Sequence, residues 1–380
     1  MTDSTQALNS IRVSSRYGGI GTILFLIYYS VFVWSSINVD FQMPDSPLRH
    51  VVMVVVAYLS FLYLPAAALA SVFIFSPLVI VYLLGELPVY AGMAIVFAAA
   101  IPLLSEGMHS IILGKNKKVI VLMLVIALVP AVNGILVNGF DVIYNSDHYG
   151  RARLLLGYWH PKEAAASFLA PMFLYLIMRD YSKFHLALLA PPLILWFIGS
   201  RNAALAFWLA IAIRYFPVAT KRISLILIAG IASIIYFDIV SFDILDQITS
   251  LRLSQWSQAL VSPGDFVNRD IAYGGGRFGI DSFYIELFIC AGIFGVILLG
   301  IWLMFLWRIL ARTNWHNKWS LSALSMIIVF STFDSGMIST GNLVHVLCWS
   351  LVWKPVFGFI HAQIIGMTNQ RNSHLATKSS

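Results

Sequence analysis

Apolar residues run along the chain in long continuous blocks, separated by short breaks rich in charged or turn-forming residues. The block 119–132 has no charged side chain and no alternation of apolar and polar positions, which favours a membrane helix over a barrel strand. The blocks predict twelve spans: 19–37, 50–66, 67–84, 89–105, 119–138, 164–179, 184–199, 201–214, 223–240, 282–307, 320–333 and 341–364. The break near Pro65 is the least marked.

Composition excludes a soluble protein. Of the 380 residues, 59% are hydrophobic and 11% are charged, against roughly 45–50% and 25% in ordinary globular domains. A disordered chain is equally excluded, because such chains are poor in apolar residues. We therefore predict an all-α polytopic membrane protein with about twelve (eleven or twelve) transmembrane helices, in which residues 1–380 form a single integral membrane domain.

Basic residues predict the orientation of the spans. With the N-terminus inside, 15 of the 24 Lys and Arg residues fall on the cytoplasmic side, so both termini are predicted to be cytoplasmic. The net charge of +7 then reflects membrane topology, and no nucleic-acid partner is expected. The external side holds one lysine and seven arginines: Lys162, Arg49, Arg151, Arg153, Arg201, Arg252, Arg269 and Arg277. A preference for arginine hints at recognition of phosphate or carboxylate, although interface anchors would give the same pattern.

Two external loops are large enough to carry a site, namely 139–163 and 241–281. The first contains Arg151 and Arg153, followed by aromatic residues and by His160-Pro161. Proline at a first helical position would start the next span with His160 as its cap, so His160 is either a cap or a substrate contact. Lys162 and Glu163 beyond it can be read as a solvated pair.

Arg201 lies at a tip between two spans, directly after Gly199 and Ser200. The helix that it begins would point its positive dipole end outward, with Ser200 as a cap, and such a helix end favours an anion. An interface anchor is the alternative, but a tip with glycine and serine suits close approach by a ligand better.

The second loop contains Arg252 and ends with three glycines, Arg277 and Asp281, just before the tenth span. Asp281 can be a helix cap, a chemical group or both. Glu286 lies about one turn inside that span, and an acidic side chain at membrane depth is a functional candidate by default. The same argument holds more weakly for Asp334 and for His345, which we expect to pack between helices.

No pattern supports a metal site, a disulfide framework or a cofactor. The two cysteines lie in apolar runs, and no His, Asp or Glu cluster has metal-ligand spacing. The residues predicted on the external side of the membrane are a set of arginines, a few acids and bases, and many aromatic residues, including Tyr284. Arginines suit a pyrophosphate, aromatic rings suit sugar faces and apolar walls suit a lipid tail. We therefore expect a lipid-pyrophosphate-linked saccharide as ligand, outside a bacterial inner membrane.

At these residues the chain resembles the superfamily of O-antigen ligases and Wzy-type O-antigen polymerases, over about residues 150–300. The similar pieces are Arg153 with GYWHPKEAAA, then GSRNAALAF, then SLRLSQWSQAL, and finally GGGRFGIDSFYIELFICAGIFGVI. No single piece is specific, but their order, spacing and shared external side are. Lys162 and Ser282 depart from the family pattern, which usually has Asn at both positions. Asp281 favours the polymerase, because ligases tend to have His there.

The resemblance implies a metal-independent, inverting glycosyltransferase of the membrane C-type class, without a cofactor. It would act on undecaprenyl-pyrophosphate-linked oligosaccharide in the phospholipid bilayer, at the periplasmic side, with a chain-length regulator protein as partner. Asp281 would be the first candidate for the general base, followed by His160 and Glu286. Arg151, Arg153, Arg201, Arg252, Arg277 and Tyr284 would bind substrate. Two alternatives remain, an O-antigen ligase acting on lipid A–core and a lipid-linked oligosaccharide flippase.

Overall fold

The protein is an α-helical bundle, seen here in a computed structural model. It describes residues 3–37, 47–84, 88–139, 144–146, 152–154, 156–158, 160–179, 184–217, 220, 222, 252–261, 282–312, 318–332 and 341–378. The predicted span 223–240 and most of the loop 241–281 lie outside these residues.

Helices follow the apolar blocks closely. In chain order they are α1 (Asp3–Ser35), α2 (Pro47–Tyr63), α3 (Pro65–Leu84), α4 (Pro88–Leu113), α5 (Lys117–Asn138), α6 (Pro161–Arg179), α7 (Ala190–Phe197), α8 (Arg201–Tyr215), α9 (Arg252–Val261), α10 (Phe283–Arg312), α11 (Lys318–Thr332) and α12 (Leu343–Lys378). A 3₁₀ turn, Leu186–Leu189, precedes α7. Each predicted span within the described residues corresponds to one helix or to the 3₁₀ turn with α7.

Six helical segments are long and apolar enough to cross a membrane, counted over the described residues. They are Tyr17–Ser35, Pro65–Leu84, Pro88–Leu113, Lys117–Leu136, Ala291–Arg312 and Leu343–Gln363. Pro47–Tyr63, Leu186–Phe197 and Lys318–Thr332 are apolar but shorter. These segments support a multi-pass, all-α membrane protein, and the number of twelve spans stays a prediction.

The break near Pro65 is confirmed and is very short. Leu64 alone separates α2 from α3, and Pro65 occupies the first position of α3, where its missing N–H costs nothing. Tyr63 at the end of α2 contacts Tyr17 of α1, and Arg49 at its start bonds to Ser35 at the other end of α1, so α2 runs against α1. Helix α4 also runs against α1, because Gly107 meets Gly21 and Ser110 meets Gly18. Helix α3 runs against α4, because its Phe75 and Tyr82 contact Phe97 and Tyr90. The chain therefore reverses direction at Leu64.

Helix α4 lies at the centre of the bundle and packs against α1, α2, α3 and α12. Its contact with α1 is the closest, because Gly21 and Gly107 meet at the crossing without side chains. A Cβ at Gly21 would overlap the carbonyl oxygen of Leu103, and a Cβ at Gly107 would overlap the Gly21 backbone. Thr22 then donates its hydroxyl to the Gly107 carbonyl over 3.2 Å. Small residues allow such close approach of membrane helices.

Two departures from regular helix have a functional bearing. In α10, Gly292 adopts φ 62° and ψ −164°, so the segment 283–291 is separated from the long apolar part by a break that favours glycine. In the first loop, Tyr144–Ser146 (β1) pairs with Ala152–Leu154 (β2) as an antiparallel hairpin. The prediction of a purely helical chain misses this hairpin, because strands of three residues give too short a pattern to detect.

Candidate functional site

Several candidate residues begin helices at one end of the bundle. Phe173 of α6 and Phe207 of α8 pack edge to face at 5.6 Å, and Phe184, just beyond the end of α6, packs on Tyr215 at the end of α8 at 6.1 Å. Phe173 and Tyr215 also both contact Trp319, which is near the start of α11. Helices α6 and α8 therefore run in the same direction and α11 runs against them. His160 before α6 and Arg201 in α8 lie at the same end.

Tyr284 belongs to this end as well. Its hydroxyl donates to the carbonyl of Ile328, one turn before the end of α11, over 3.0 Å. Its ring is half-buried and lies 5.7 Å from the ring of Phe283. The segment of α10 before Gly292 is thus fixed to the end of α11 by a hydrogen bond.

His160 has the capping geometry that its position before Pro161 predicts. Its Nδ1 accepts the backbone N–H of Lys162 over 3.0 Å, and α6 begins at Pro161. The cap is confirmed. The ring is nonetheless exposed, so capping and a contact with substrate through Nε2 are compatible.

The segment before His160 is anchored at several points. Ile37, after α1, forms a backbone bridge with Tyr158, and the Tyr158 hydroxyl donates to the carbonyl of Ala127 in α5 over 2.8 Å. Gly157 has φ +75° and packs so closely on the Pro130 carbonyl that a side chain would overlap it. Burial raises the pKa of the Tyr158 phenol above its ordinary value, so this donor stays protonated. The anchors hold the chain between the hairpin and α6.

A buried ion pair adjoins this segment. Arg49 of α2 binds Glu163 of α6 at 3.0 Å between Nη2 and Oε1, and the two side chains are 4% and 17% exposed. Arg49 also donates to the hydroxyls of Ser35 and Ser36 over 2.6 and 2.7 Å. Further contacts to the Gly341 carbonyl and to the face of Phe32 complete its surroundings. The pair joins α1, α2 and α6 to Gly341, two residues before α12.

This network corrects the interpretation of Glu163. It is not simply half of a solvated pair with Lys162, because it forms a buried ion pair with Arg49, 114 positions away in the sequence. The sequence does show that charged residues lie in or beside predicted spans. It does not show which of these residues form ion pairs in the folded protein.

Arg201 is exposed at the first position of α8. Gly199 before it has φ +85°, and Ser200 occupies the N-cap position with φ −97° and ψ 81°. The Ser200 side chain makes no capping hydrogen bond, which differs from the prediction. Its hydroxyl is buried, and among the described residues it has no hydrogen-bond partner. A positive helix end, an arginine and a buried hydroxyl therefore lie together, and such a group suits an anion.

A second ion pair joins two of the long apolar helices. Lys354 of α12 binds Glu106 of α4 at 3.0 Å, and both side chains are only partly exposed. His109, one turn along α4, has its Nδ1 within 2.8 Å of the Ser105 carbonyl. His345 is fully buried edge-on against Phe330, as expected for packing between helices.

The remaining candidates lie wholly or partly outside the described residues. Arg151, Arg277, Asp281 and Asp334 are outside. Arg153 is described only as a backbone position of β2, Arg252 only as the first residue of α9, and Glu286 only as a residue of α10. Within the described part of the chain, no group of three or more His, Cys, Asp or Glu side chains could hold a metal ion.

No protein-family model matches the chain, and no curated protein or solved structure is significantly similar to it. The case for any function therefore rests on the residues themselves.

Proposed function

We propose that the chain is a glycosyltransferase that polymerises lipid-linked oligosaccharide repeat units, such as those of O-antigen, at the periplasmic side of a bacterial inner membrane. One observation carries the proposal. Arg201 with its helix end, His160 with the β-hairpin, and Tyr284 all lie at the same end of the bundle. Helices α6 and α10, which follow the two long loops, both begin at this end, so the loop arginines would join the same site.

In the proposed reaction, the growing glycan leaves undecaprenyl pyrophosphate and joins a new undecaprenyl-pyrophosphate-linked repeat unit. The acceptor hydroxyl oxygen attacks the anomeric carbon, and the bond from that carbon to the pyrophosphate oxygen breaks. The acceptor proton passes to a general base, for which Asp281 is the first candidate and His160 and Glu286 follow. The pyrophosphate leaves with the electron pair and stays on its lipid.

Arginines would stabilise the charge that develops on the departing pyrophosphate, which is usually the largest catalytic contribution. Arg201 is the best placed of those described, because its side chain is exposed beside a helix N-terminus. Arg151, Arg153, Arg252 and Arg277 are assigned to the same task from the sequence, and Tyr284 is assigned to bind substrate. If these residues bind the pyrophosphate bidentately, lysine should not replace arginine.

A lipid-linked oligosaccharide flippase is the second candidate. It is favoured by the pair Glu106–Lys354, since charges held within membrane helices commonly line transport pathways. The pair also has a purely structural use, because it joins α4 to α12. The external set of arginines is better explained by the polymerase.

The surface-polysaccharide ladder of a deletion strain, with and without the restored gene, tests the proposal. Collapse to core plus a single repeat supports a polymerase, because flipping and ligation still work. Loss of the single repeat contradicts it. Polymer that accumulates on undecaprenyl pyrophosphate would then identify a ligase, and its absence a flippase.

Complementation with Arg201→Lys tests the role of this arginine. We expect the long ladder to be lost, whereas the matched control Arg308→Lys, an exposed arginine near the opposite end of the bundle, should restore it. A full ladder with Arg201→Lys, and equally with Arg153→Lys, Arg252→Lys and Arg277→Lys, would refute pyrophosphate binding by bidentate arginines.

A further inference from the structure

A groove opens between α6 and the short segment that follows it. The 3₁₀ turn and α7 together contain twelve residues, Leu186–Phe197, and extend about 20 Å at the usual rises. The hydrocarbon core of a bilayer is about 30 Å thick. Helix α6, with 19 residues, reaches about 28 Å. The two segments therefore differ in length, and Met172 and Tyr175 of α6 remain half-buried beside the shorter one.

The groove is apolar and has a volume of about 160 Å³. Its lining residues are Met172, Tyr175, Leu176, Ala187, Ala190, Pro191 and Ile194. Small alanine side chains and a proline ring on one wall leave room opposite the larger side chains of α6. Ile194 is 43% exposed at the rim, so the groove is open to the surface of the bundle. In a membrane protein such an opening faces lipid chains.

The charged side chain of Arg179 lies beside one end of the groove, where it contacts Tyr175. The Nε of Arg179 donates to the hydroxyl of Tyr175 over 3.1 Å, and the guanidinium lies 5.7 Å from the centre of the same ring. Arg179 is exposed and ends α6. On the other wall, His185 accepts the backbone N–H of Ala187 through Nδ1 over 3.2 Å. The apolar groove thus ends at an arginine, the side chain best suited to a phosphate group.

We propose that the groove is a binding site for one acyl chain of an anionic phospholipid, whose phosphate lies beside Arg179. The chain would fill the space that the shortened α7 leaves, and the headgroup would match the charge at the mouth. This site lies at the opposite end of α6 from His160, so it is separate from the proposed glycosyltransferase site and its test needs no enzymatic activity.

Native mass spectrometry of the full chain from nanodiscs tests the site. The nanodiscs contain equal amounts of phosphatidylglycerol and phosphatidylcholine, and the lipid retained after release is counted. We expect one phosphatidylglycerol per chain. Ile194→Trp should abolish its retention by filling the groove. The matched control Leu193→Trp, at a neighbouring position that is 48% exposed and does not line the groove, should not.

Arg179→Gln tests binding of the lipid headgroup separately from binding of the acyl chain, and it remains informative if Ile194→Trp fails to fold. Loss of one basic side chain beside an anionic headgroup should lower retention about fivefold. Equal retention of both lipids by the unchanged protein would overturn the proposal. So would retention that neither variant alters, or competition in which undecaprenyl phosphate replaces the phospholipid.

Discussion

Replacing Arg49 by glutamine will remove the charge that compensates Glu163. The two side chains are nearly enclosed, and Arg49 also loses its bonds to Ser35, Ser36 and the Gly341 carbonyl. Breaking a buried pair from one side usually costs about 3–5 kcal/mol, because the other charge stays buried without its partner. Because the Glu163 side chain is 17% exposed, we expect Arg49→Gln to lower the free energy of unfolding by about 3 kcal/mol, the lower end of that range.

The size of this loss sets the expected thermal shift. At about 2.1 cal/mol/K of unfolding entropy per residue, 380 residues give about 0.8 kcal/mol/K. A loss of 3 kcal/mol then lowers the unfolding midpoint by about 4 °C. The assay is thermal unfolding of the detergent-purified protein at a fixed heating rate, because membrane proteins often unfold irreversibly.

A control variant and a double variant test whether Arg49 and Glu163 stabilise each other. Arg201→Gln, the same change at an exposed arginine, should shift the midpoint by less than about 1 °C. The double variant Arg49→Gln/Glu163→Gln should lose less stability than the two single variants lose in sum, because it leaves no buried charge. A midpoint for Arg49→Gln equal to that of the control, or strict additivity in the double variant, would show that the pair contributes no coupling.

Other positions give further expectations. Gly21→Ala should lower stability by about 1–3 kcal/mol through overlap with α4, while Gly19→Ala, where the new Cβ meets nothing within 4 Å, should not lower the midpoint in the same thermal assay. His160→Asn keeps a capping side chain and should retain thermal stability; a lost polysaccharide ladder in that variant would identify a chemical role, and an intact ladder would leave only the cap. Trp302→Phe removes the donor to the Ile74 carbonyl, at 2.7 Å, and should cost about 1 kcal/mol, measurable as a lower midpoint.

The sequence predicts the helices well because membrane spans are long and uniformly apolar. Pro65 even marks the single-residue break between α2 and α3. The capping role of His160 follows from the proline after it. These features depend on neighbouring residues, which a pattern along the chain can detect.

What the sequence does not predict depends on residues far apart along the chain. Glu163 has a nearby lysine, yet its partner Arg49 is supplied by another helix. Lys354 meets Glu106 across 248 positions. Ser200 has the sequence of a cap, but its hydroxyl is turned into the bundle and makes no capping bond. Which charges and hydroxyls meet is decided by how the helices pack.

The reversal at Leu64 has a consequence for biogenesis. A turn of one residue is too short to allow α2 to cross the membrane while α3 is still outside it. We therefore expect helices α2 and α3 to insert together, as a helical hairpin. The turn also contains no lysine or arginine, so it supplies no topogenic signal of its own. We expect the hairpin to take its orientation from other segments, such as the start of α5 and the turn before it, where Lys115, Lys117 and Lys118 lie.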